Sequence, residues 1–336
     1  MMPHQSFNNE AVSNRHKLLE LLADGRFHSG QELGRTLSVS RAAIWKSLRS
    51  LAACGLSITS VKGRGYCLEC PMEFLSRARL LETLDHRVVD GVSKLTVFTE
   101  VDSTNQFLLD RINQADFHGH VVLAEYQSAG RGRHGNLWLS PYGSGISLSL
   151  GWEFTTPPAA MGIISLALGV AVVETLCEFG INNVGLKWPN DILHNRDKLG
   201  GILVEMRGEL AGPSRLVMGI GINYSLPRKQ ALVPGRKVTD IAAIADPLPS
   251  RNVFTARLVS RIMEMLMTFD NSRIPNLLER WRQHDCIKGE TVTLETAGGP
   301  IMGEVAGIDE SGSLLLRVND QVKSYTSGEI SLRLGR

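Results

Sequence analysis

Three polar clusters in the middle of the chain combine residue types that bind anions. The first is Gly130-Arg131-Gly132-Arg133-His134-Gly135, which alternates glycines with two arginines. Glycine lets the backbone turn sharply and approach a ligand closely, and arginine donates paired hydrogen bonds to phosphate or carboxylate. The spacing matches neither the dinucleotide-binding motif nor the P-loop. The cluster predicts an anion-binding loop, although a solvated basic turn or an RNA-binding segment would have the same composition.

The second cluster brings a carboxylate close to a lysine across a predicted hairpin. Lys187-Trp188-Pro189-Asn190-Asp191 ends in residues that favour a tight turn, and Lys198 begins the next strand seven residues later. Such a pair can be an exposed ion pair that contributes little to stability. Alternatively, Asp191 could approach a magnesium ion while Lys198 neutralises a phosphate or acyl oxygen.

The third cluster is Asp102-Ser103-Thr104-Asn105, which stands before the helical pattern of residues 106–109. Polar residues at this position predict the N-terminal cap of a helix. The start of a capped helix also offers backbone N–H groups to a polar ligand, so the structural and ligand-binding interpretations are compatible.

Alternating strand-like and helical patterns between residues 95 and 223 must position these clusters. Buried strands are predicted near residues 121–124, 145–152, 201–206 and 216–223, and a long apolar helix over residues 159–179. This alternation predicts a domain with mixed α and β structure around a covered sheet. Beyond residue 289, short strand-like runs alternate with glycine turns and predict a small β-barrel of five strands.

The first seventy residues predict a winged helix-turn-helix. A helical stripe over residues 15–23 is followed by helices at 30–37 and 41–53, joined by a three-residue turn. Ser29 and Glu32 have the spacing of a capping box at the start of the second helix. After residue 55 the period changes to two, and the basic turn 62–66 separates two short strands, as in a wing.

The exposed face of the third helix and the tip of the wing are basic, which indicates contact with DNA. Residues 29–66 hold six Lys or Arg and one acidic residue. A protein-interaction module of the same shape is the alternative. One module makes few phosphate contacts, so we expect a dimer that reads two half-sites. The predicted DNA-binding residues are Gly30, Ser40, Arg41, Ala42, Trp45, Lys46, Arg49, Lys62 and Arg64.

Length and composition agree with several soluble domains. The 336 residues carry 36 Lys+Arg and 34 Asp+Glu, a net charge of +2, and hydrophobic residues make up 43%. Such a composition excludes wholesale disorder, and the length predicts two or three domains. The basic excess lies in residues 1–70, which contain nine basic and five acidic residues.

Membrane insertion and export are not expected. The longest apolar run, residues 159–173, is shorter than the roughly 20 residues of a spanning helix, and the first ten residues lack an apolar signal core. The five cysteines are scattered and odd in number, which fits a reducing cytosol. Cys67 and Cys70 form a single C-x-x-C without a second pair at zinc-finger spacing, so incidental thiols are expected rather than a metal or redox site.

Taken in this order, the clusters resemble those of the biotin–protein ligases, over nearly the whole chain after about residue 15. The N-terminal pattern is similar to the winged helix of the bifunctional bacterial members, which also repress the biotin operon. The matching segments are Phe27–Gly30, Ser40–Ile44, Gly63–Tyr66, Val101–Gln106, Ala124–Arg133, Lys187–Asp191, Lys198–Glu205, Gly219–Asn223 and Gly328–Arg333.

The resemblance implies an α+β protein of three domains. These would be a winged helix-turn-helix over residues 1–70, a class II synthetase-like ligase domain over 71–286 and an SH3-like β-barrel over 287–336. Such a protein uses ATP and Mg²⁺ to convert biotin into biotinyl-5′-adenylate, and transfers biotin to a lysine of a biotin carboxyl carrier protein. With the adenylate as corepressor it forms a homodimer on operator DNA.

The resemblance also assigns roles by motif position. Ser103, Thr104, Asn105 and Gln127 would bind and orient biotin, and Arg131, Gly132 and Arg133 would close over biotin and adenylate. Lys198 would lie where the carboxylate and phosphate join. Asp191 would lie near the metal and the attacking amine. The catalytic set is then Lys198, Arg131, Arg133 and Asp191. Gly201, Gly219, Gly221 and Asn223 complete the adenylate pocket.

Two segments are candidate lids over the water-labile adenylate, Gly130–Leu137 and Ser225–Lys237. Both depart from the family pattern, because Asn136 and Leu137 replace further basic residues and the second segment contains no aromatic residue to cover adenine. Glu329 and Arg333 of the barrel either reach the nucleotide or only pack.

Three alternative functions stay open from the sequence. They are a regulator that senses biotin without catalysis, a lipoate-class acyl ligase, and a ligase whose winged helix no longer represses. The retained lysine and arginines, the Gly-Arg-Gly-Arg loop and the fused winged helix favour the bifunctional ligase.

Overall fold

A seven-stranded mixed sheet forms the centre of the computed structural model, which describes residues 9–155, 161–207, 214–227, 237–296, 299–326 and 331–334. The strand order is β3-β4-β5-β9-β8-β7-β6, and only β3 and β4 are parallel. The strands are β3 (Lys94–Phe98), β4 (His120–Ala124), β5 (Gly145–Phe154), β6 (Val184–Lys187), β7 (Asp191–His194), β8 (Asp197–Arg207) and β9 (Ser214–Asn223).

Helices cover both faces of this sheet. The helices of the central unit are α4 (Arg77–Thr83), α5 (Thr104–Leu109), α6 (Met161–Glu178), α7 (Ile241–Ile244), α8 (Arg251–Met267) and α9 (Ile274–Gln283). On one face, α6 packs against β6, β7, β8 and α8, and the buried β5 side chains Ile146 and Leu148 belong to the same apolar core. On the other, α5 packs Leu108 against Val122. The alternation of strand side chains therefore divides the apolar residues between two layers.

The N-terminal unit is the predicted three-helix bundle with a two-stranded wing. Its elements are α1 (Asn9–Leu22), α2 (Gly30–Thr36), α3 (Arg41–Ala53), β1 (Ile58–Val61) and β2 (Gly65–Leu68). The capping box of Ser29 and Glu32 is present, and the Ser40 side chain caps α3. The α1 helix starts six residues before the predicted stripe, because its polar first turns carry no apolar periodicity that could mark them.

The N-terminal unit packs directly onto the central unit. Its apolar core extends from Leu18 and Leu48 to Tyr142 of the central unit, which is 2% exposed. The Tyr142 hydroxyl lies 3.1 Å from His16 Nδ1, and Arg15 forms a 2.9 Å ion pair with Glu100. The wing carries the C-x-x-C, in which Cys67 is buried and its thiol donates to the Gly25 carbonyl.

The C-terminal unit is a five-stranded antiparallel sheet in the order β13-β12-β11-β10-β14. Its strands are β10 (Thr291–Thr296), β11 (Gly299–Ile308), β12 (Leu314–Val318), β13 (Gln321–Tyr325) and β14 (Ser331–Leu334). Within the described residues β13 and β14 do not pair, so the predicted barrel is an open, SH3-compatible sheet rather than a closed cylinder. The indole N–H of Trp188 donates to the Gly312 carbonyl and joins this sheet to the central unit.

Candidate active site

Small residues on three neighbouring strands form the floor of the candidate site. Across the sheet, Ser147 of β5 pairs with Gly221 of β9, which pairs with Gly201 of β8. The next such row joins Ser149 to Gly219. Residues that pair directly share one face of a sheet, so these side chains leave room above the sheet.

The first row continues to the predicted catalytic carboxylate, because Gly201 also pairs with Asp191 of β7. Two of the floor glycines are enclosed by protein atoms. A Cβ at Gly219 would lie 2.3 Å from Asn105 Oδ1, and one at Gly221 would lie 2.4 Å from the ring of Trp138. Gly201 differs, since its nearest neighbour would be 3.5 Å away, an ordinary contact.

The third sequence cluster lies beside this floor. Ser103 caps α5, as predicted, and the Thr104 N–H and hydroxyl both donate to Gln127 Oε1, at 2.8 and 3.1 Å. The Ser149 hydroxyl lies 2.7 Å from Thr104 Oγ1 and 2.5 Å from Asn105 Oδ1. These bonds fix a row of polar groups, and the Gln127 amide N–H₂ donates to none of the described residues. That nitrogen is available to a polar ligand.

Arg131 of the glycine-arginine loop is held by a carboxylate on β8. Its Nη2 donates to both oxygens of Glu205, at 2.8 and 2.6 Å, and its Nη1 donates to Gln106 at 2.9 Å. Glu205 Oε2 also accepts from Asn105 Nδ2 at 2.8 Å. The Arg131 Nε is buried without a hydrogen-bond partner among the described residues, and an unsatisfied buried donor of this kind fits a bound anion.

The loop itself is a short hairpin. Gly132 N–H donates to Asn136 O at 2.7 Å, and Trp138 N–H donates to Gly130 O at 2.9 Å. His134 has φ of 55°, a left-handed conformation that is uncommon for residues other than glycine, and Gly135 after it has φ of 74°. Leu137, one of the departures from the family pattern, is 69% exposed at the end of this hairpin.

Lys198 and Asp191 face one another across the β7–β8 hairpin, as the spacing predicted. Lys198 Nζ lies 2.5 Å from Asp191 Oδ1, and Lys187 Nζ lies 3.5 Å from Oδ2. Burial alone would raise the pKa of Asp191, but the Lys198 and Lys187 charges outweigh burial and hold that pKa below its usual range. Lys198 Nζ also lies 5.9 Å above the ring of Trp138, within the range of a cation–π contact.

Arg133 lies on the same side as this pair. Its Nη1 is 3.5 Å from Asn190 Oδ1, and Asn190 is in turn fixed by a 2.8 Å bond to the Ile202 carbonyl. Burial lowers the pKa of Arg133, and the negative charge of Asp191 partly offsets that effect. Arginine side chains nevertheless keep their charge at neutral pH in proteins. The cationic side chains beside the glycine floor are thus Arg131, Arg133 and Lys198.

The donor atoms around Asp191 show whether this site suits a magnesium ion. A charged carboxylate is a preferred Mg²⁺ ligand, and one or two carboxylates commonly complete a site built from nucleotide phosphates. Asp191 has the right chemistry, but both of its oxygens already contact lysines. Within the described ranges, no group of three His, Cys, Asp or Glu residues could hold a metal ion. The lysines compete with a metal ion for this carboxylate, and the metal role of Asp191 stays a prediction.

One further predicted position, Asn223, has structural partners, and others lie outside the described residues. Asn223 Nδ2 donates to the carbonyls of Lys198 and Thr239, so it fixes the backbone at Lys198. In the second lid, residues 228–236 are outside the described ranges, as is Glu329. The backbone of Arg333 lies in β14.

All of the predicted DNA-binding residues are exposed except Gly30. The exposed positions are Ser40, Arg41, Ala42, Trp45, Lys46, Arg49, Lys62 and Arg64. Gly30 is buried at the start of α2, where a Cβ would lie 3.3 Å from the ring of Tyr66. Its lack of a side chain therefore serves the packing against the wing, and its role in DNA binding stays a prediction.

Sequence reasoning missed several side chains that contact the predicted site residues. Glu205, Ser149, Gln106 and Trp138 were not singled out, although each contacts a predicted residue. The signal for Ser149 was present, because serines alternate with apolar residues along β5. Glu205 carried a weaker signal, an acidic residue near the end of an otherwise apolar strand.

Models of three known families match the chain in the predicted order. A helix-turn-helix domain model matches residues 14–67. The Biotin/lipoate A/B protein ligase family model matches residues 97–223. The Biotin protein ligase C terminal domain model matches residues 288–333.

Relatives and solved structures agree with these matches. The chain is 38% identical to the bifunctional ligase/repressor BirA of Escherichia coli over 94% of this chain and 96% of that protein. It is 30% identical to the protein of the same name from Bacillus subtilis, over 95% and 98% of the two chains.

Among solved structures, the Aquifex aeolicus biotin protein ligase in complex with biotin and ATP is 27% identical, with a TM-score of 0.61 over 72% of this chain and 99% of that one. A point mutant of that ligase in complex with biotin is 28% identical, again with a TM-score of 0.61 over 72% and 99% of the two chains. The predicted fold and resemblance are confirmed, and the chain belongs to the family of bifunctional biotin–protein ligases and repressors.

Proposed function

We propose that this protein activates biotin with ATP, transfers it to a lysine of a biotin carboxyl carrier protein, and represses transcription when it carries the adenylate. The observation that carries the ligase activity is the arrangement of Arg131, Arg133 and Lys198 around a floor of glycines. Two anions, a carboxylate and a triphosphate, must meet in the first step. Fixed cations in a partly buried site neutralise that repulsion.

In the first step, a biotin carboxylate oxygen attacks the α-phosphorus of ATP and pyrophosphate leaves. Ser103, Thr104, Asn105 and Gln127 bind and orient biotin, so that its carboxylate reaches the cationic side of the site. Lys198 neutralises the oxygens where carboxylate and phosphate join, and the Arg131 and Arg133 loop holds the adenylate. Gly201 leaves room for the ligand, Gly219 and Gly221 leave room for the Asn105 and Trp138 side chains that line the pocket, and Asn223 keeps the Lys198 backbone in place. Mg²⁺, when bound, would neutralise phosphate charge, with Asp191 as its protein ligand.

In the second step, the carrier lysine attacks the acyl carbon of the adenylate and AMP leaves. The attacking amine must lose a proton, and Asp191 is a charged carboxylate beside Lys198 that can orient this amine. The loop Gly130–Leu137, already folded as a hairpin, shields the labile anhydride from water. The second lid, Ser225–Lys237, would cover the nucleotide.

The winged helix supplies the repressor function. Its basic surface suits the phosphate backbone, and two half-sites would be read by a homodimer that forms in the adenylate-bound state. We propose a cytoplasmic location and no membrane association. None of the helices in the described ranges combines the length and the apolar character that crossing a membrane requires.

A single assay tests the ligase activity and separates it from the lipoate class. The protein is mixed with ATP, Mg²⁺, a purified biotin carrier domain, and either labelled biotin or labelled lipoate. Labelled biotin should appear on the carrier, and lipoate should not. Absence of biotin label would refute the ligase, and transfer of lipoate would indicate the related class.

A DNA titration tests the repressor. Operator duplex, isolated by selection from random sequence, is titrated with protein in the presence and absence of biotin and ATP. Affinity should rise when the adenylate forms, together with a monomer-to-dimer shift in sedimentation. If the affinity for DNA does not change when the adenylate forms, the protein is a ligase whose winged helix does not act as a regulated repressor.

A further inference from the structure

A tryptophan lies exposed in α3, the second helix of the helix-turn-helix. Trp45 is 52% exposed, whereas Trp188 and Trp281 are at most 2% exposed. The core of the winged helix uses Ile44 and Leu48 of α3, which are buried, and Trp45 lies to the side of that face. Trp45 therefore contributes nothing to the core of this unit. A single exposed apolar side chain is common on protein surfaces and needs no functional explanation by itself.

A second observation distinguishes Trp45 from an ordinary surface residue. The guanidinium carbon of Arg49, one helical turn later, lies 4.8 Å from the centre of the Trp45 ring. Residues four apart on a helix share a face, and a guanidinium above an indole is held by a cation–π attraction. No described residue accepts a hydrogen bond or forms an ion pair with Arg49. Its five donors are thus oriented by the ring and remain available to a ligand.

The residues around Trp45 and Arg49 indicate that the ligand is duplex DNA. Between residues 29 and 66 there are six basic residues and one acidic residue. The acidic residue, Glu32, is engaged in the capping box at the start of α2. An α-helix fits the major groove of B-form DNA, whereas the corresponding groove of an A-form RNA duplex is too narrow for side chains to read.

We propose that Trp45 and Arg49 act together as a base-reading unit for a guanine and a nearby thymine. This inference rests on the proposed repressor function. The Arg49 fork would donate to the O6 and N7 atoms of guanine, and the exposed edge of the indole would pack on a thymine methyl group. The two residues lie about 6 Å apart along the helix axis, and base pairs rise about 3.4 Å, so the two bases lie within about two steps.

The wing provides a matched control. Arg64 also stacks on an aromatic ring, with its guanidinium carbon 4.2 Å from the centre of Phe27. It stands at a hairpin tip rather than on the helix that enters the groove. Its expected role is a backbone contact, which positions the protein without reading sequence.

The experiment compares sequence preference rather than affinity alone. Wild-type protein with biotin and ATP first selects sites from a library of random duplexes. Binding is then measured for four variants, Arg49→Ala, Arg49→Lys, Trp45→Ala and Arg64→Ala. Each variant is titrated against the selected site and against its single-base changes. A third set of duplexes replaces each thymine with deoxyuridine, which lacks the methyl group. Circular dichroism checks that each variant is folded.

For Arg49→Ala and Arg49→Lys we expect loss of the preference for one guanine, by roughly 5- to 150-fold. Trp45→Ala should abolish the preference for thymine over deoxyuridine at one nearby position. Arg64→Ala should weaken binding to all duplexes equally. The inference is overturned if the Arg49 and Trp45 variants leave every preference unchanged, whether or not affinity falls. If the wild type selects no sequence at all, the repressor function itself fails, which is a separate result.

Discussion

The side chain of Arg131 is held by Glu205, with Nη2 at 2.8 and 2.6 Å from the two carboxylate oxygens. The same carboxylate accepts a hydrogen bond from Asn105, at 2.8 Å. One acidic residue on β8 thus positions a residue of the anion-binding loop and a residue of α5. Glu205 carries the same sign of charge as the anionic ligand, so its role is to orient Arg131 rather than to bind that ligand.

Replacing this carboxylate should impair the adenylation step. In Glu205→Gln the ion pair to Arg131 is lost, and the loop no longer presents its guanidinium in one orientation. We expect kcat/KM for biotin to fall about tenfold, a loss of about 1.4 kcal/mol in transition-state stabilisation. Release of pyrophosphate in the absence of the carrier measures this step.

A second ion pair on the same sheet supplies the control. Glu153 lies 2.6 Å from Arg215, and its side chain is 32% exposed, against 27% for Glu205. Glu153→Gln removes the same charge from a similar pair away from the glycine floor. Its kcat/KM should stay within about twofold of the wild type, since surface ion pairs of this kind contribute little. Equal losses in both variants would mean that general destabilisation, and not the position of Arg131, explains the effect.

Lys198 and Lys187 both contact Asp191, but only Lys198 is expected to act on the substrate. We expect Lys198→Ala to lower the rate of adenylate formation by about 10²- to 10³-fold, as for removal of a donor from a developing anion. Lys187→Ala removes the longer, 3.5 Å contact and should lower the rate of adenylate formation much less. Single-turnover kinetics with labelled biotin measure both. A Lys198→Ala enzyme with normal rates would exclude this residue from the site.

The depressed pKa of Asp191 has a consequence for stability. Burial opposes the shift, but the lysine charges dominate and hold the folded-state pKa of Asp191 below its unfolded value. The stabilisation from this carboxylate is therefore fully present above about pH 4 and is lost as pH falls through the lower, folded-state pKa.

Urea unfolding of the wild type and Asp191→Asn at several pH values tests this direction. The difference in free energy of unfolding should be constant between about pH 5 and pH 8 and should shrink below about pH 4. A difference that already declines between about pH 7 and pH 5 would place the folded-state pKa of Asp191 above its usual value, contrary to the arrangement of the lysines.

The floor glycines should respond differently to the same substitution. A Cβ at Gly219 would overlap Asn105, with 2.3 Å to its Oδ1, so Gly219→Ala should displace Asn105 and weaken biotin binding even before ATP is added. At Gly201 the nearest atom would be 3.5 Å away, so the ligand-free fold should accept alanine. Any loss of affinity in Gly201→Ala would then come from contact with the ligand.

Calorimetric titration with biotin, paired with thermal unfolding, separates the two cases. Gly219→Ala should lower both the Tm and the affinity for biotin, whereas Gly201→Ala should leave the Tm unchanged. If Gly201→Ala also binds biotin and forms adenylate normally, the prediction that Gly201 lines the ligand pocket is wrong.

Residue spacing explains which site contacts could be predicted from sequence. Lys198 and Asp191 are seven residues apart on adjacent strands of one hairpin, so a local pattern was sufficient to pair them. Arg131 and Glu205 are 74 residues apart and meet only because β8 lies two strands from β5 in the sheet. No local periodicity encodes that strand order. The packing of Gly30 could not be predicted for a related reason, since its neighbour Tyr66 belongs to the distant strand of the wing.

The most deeply buried ion pair in the described residues joins Arg251 at the start of α8 to Glu125 after β4. Their side chains are 0% and 2% exposed, and Arg251 Nη1 lies 2.6 Å from Glu125 Oε2. Glu125 also accepts the Leu75 N–H at 2.6 Å, and Arg251 donates to the Gly145 carbonyl at 2.6 Å. The pair therefore ties the segment after the winged helix to two strands of the central sheet.

Removing one partner leaves a buried charge without compensation. We expect Glu125→Gln to lower the free energy of unfolding by about 3–5 kcal/mol, measured by urea denaturation. The same substitution at Glu304, whose 3.0 Å pair with Arg317 is 46% exposed on both sides, should cost less than about 1 kcal/mol. In Glu125→Gln combined with Arg251→Met the loss should be smaller than the sum of the two single losses, because no unpaired charge remains. Additive losses would show that the two side chains stabilise the fold independently, through their separate backbone contacts.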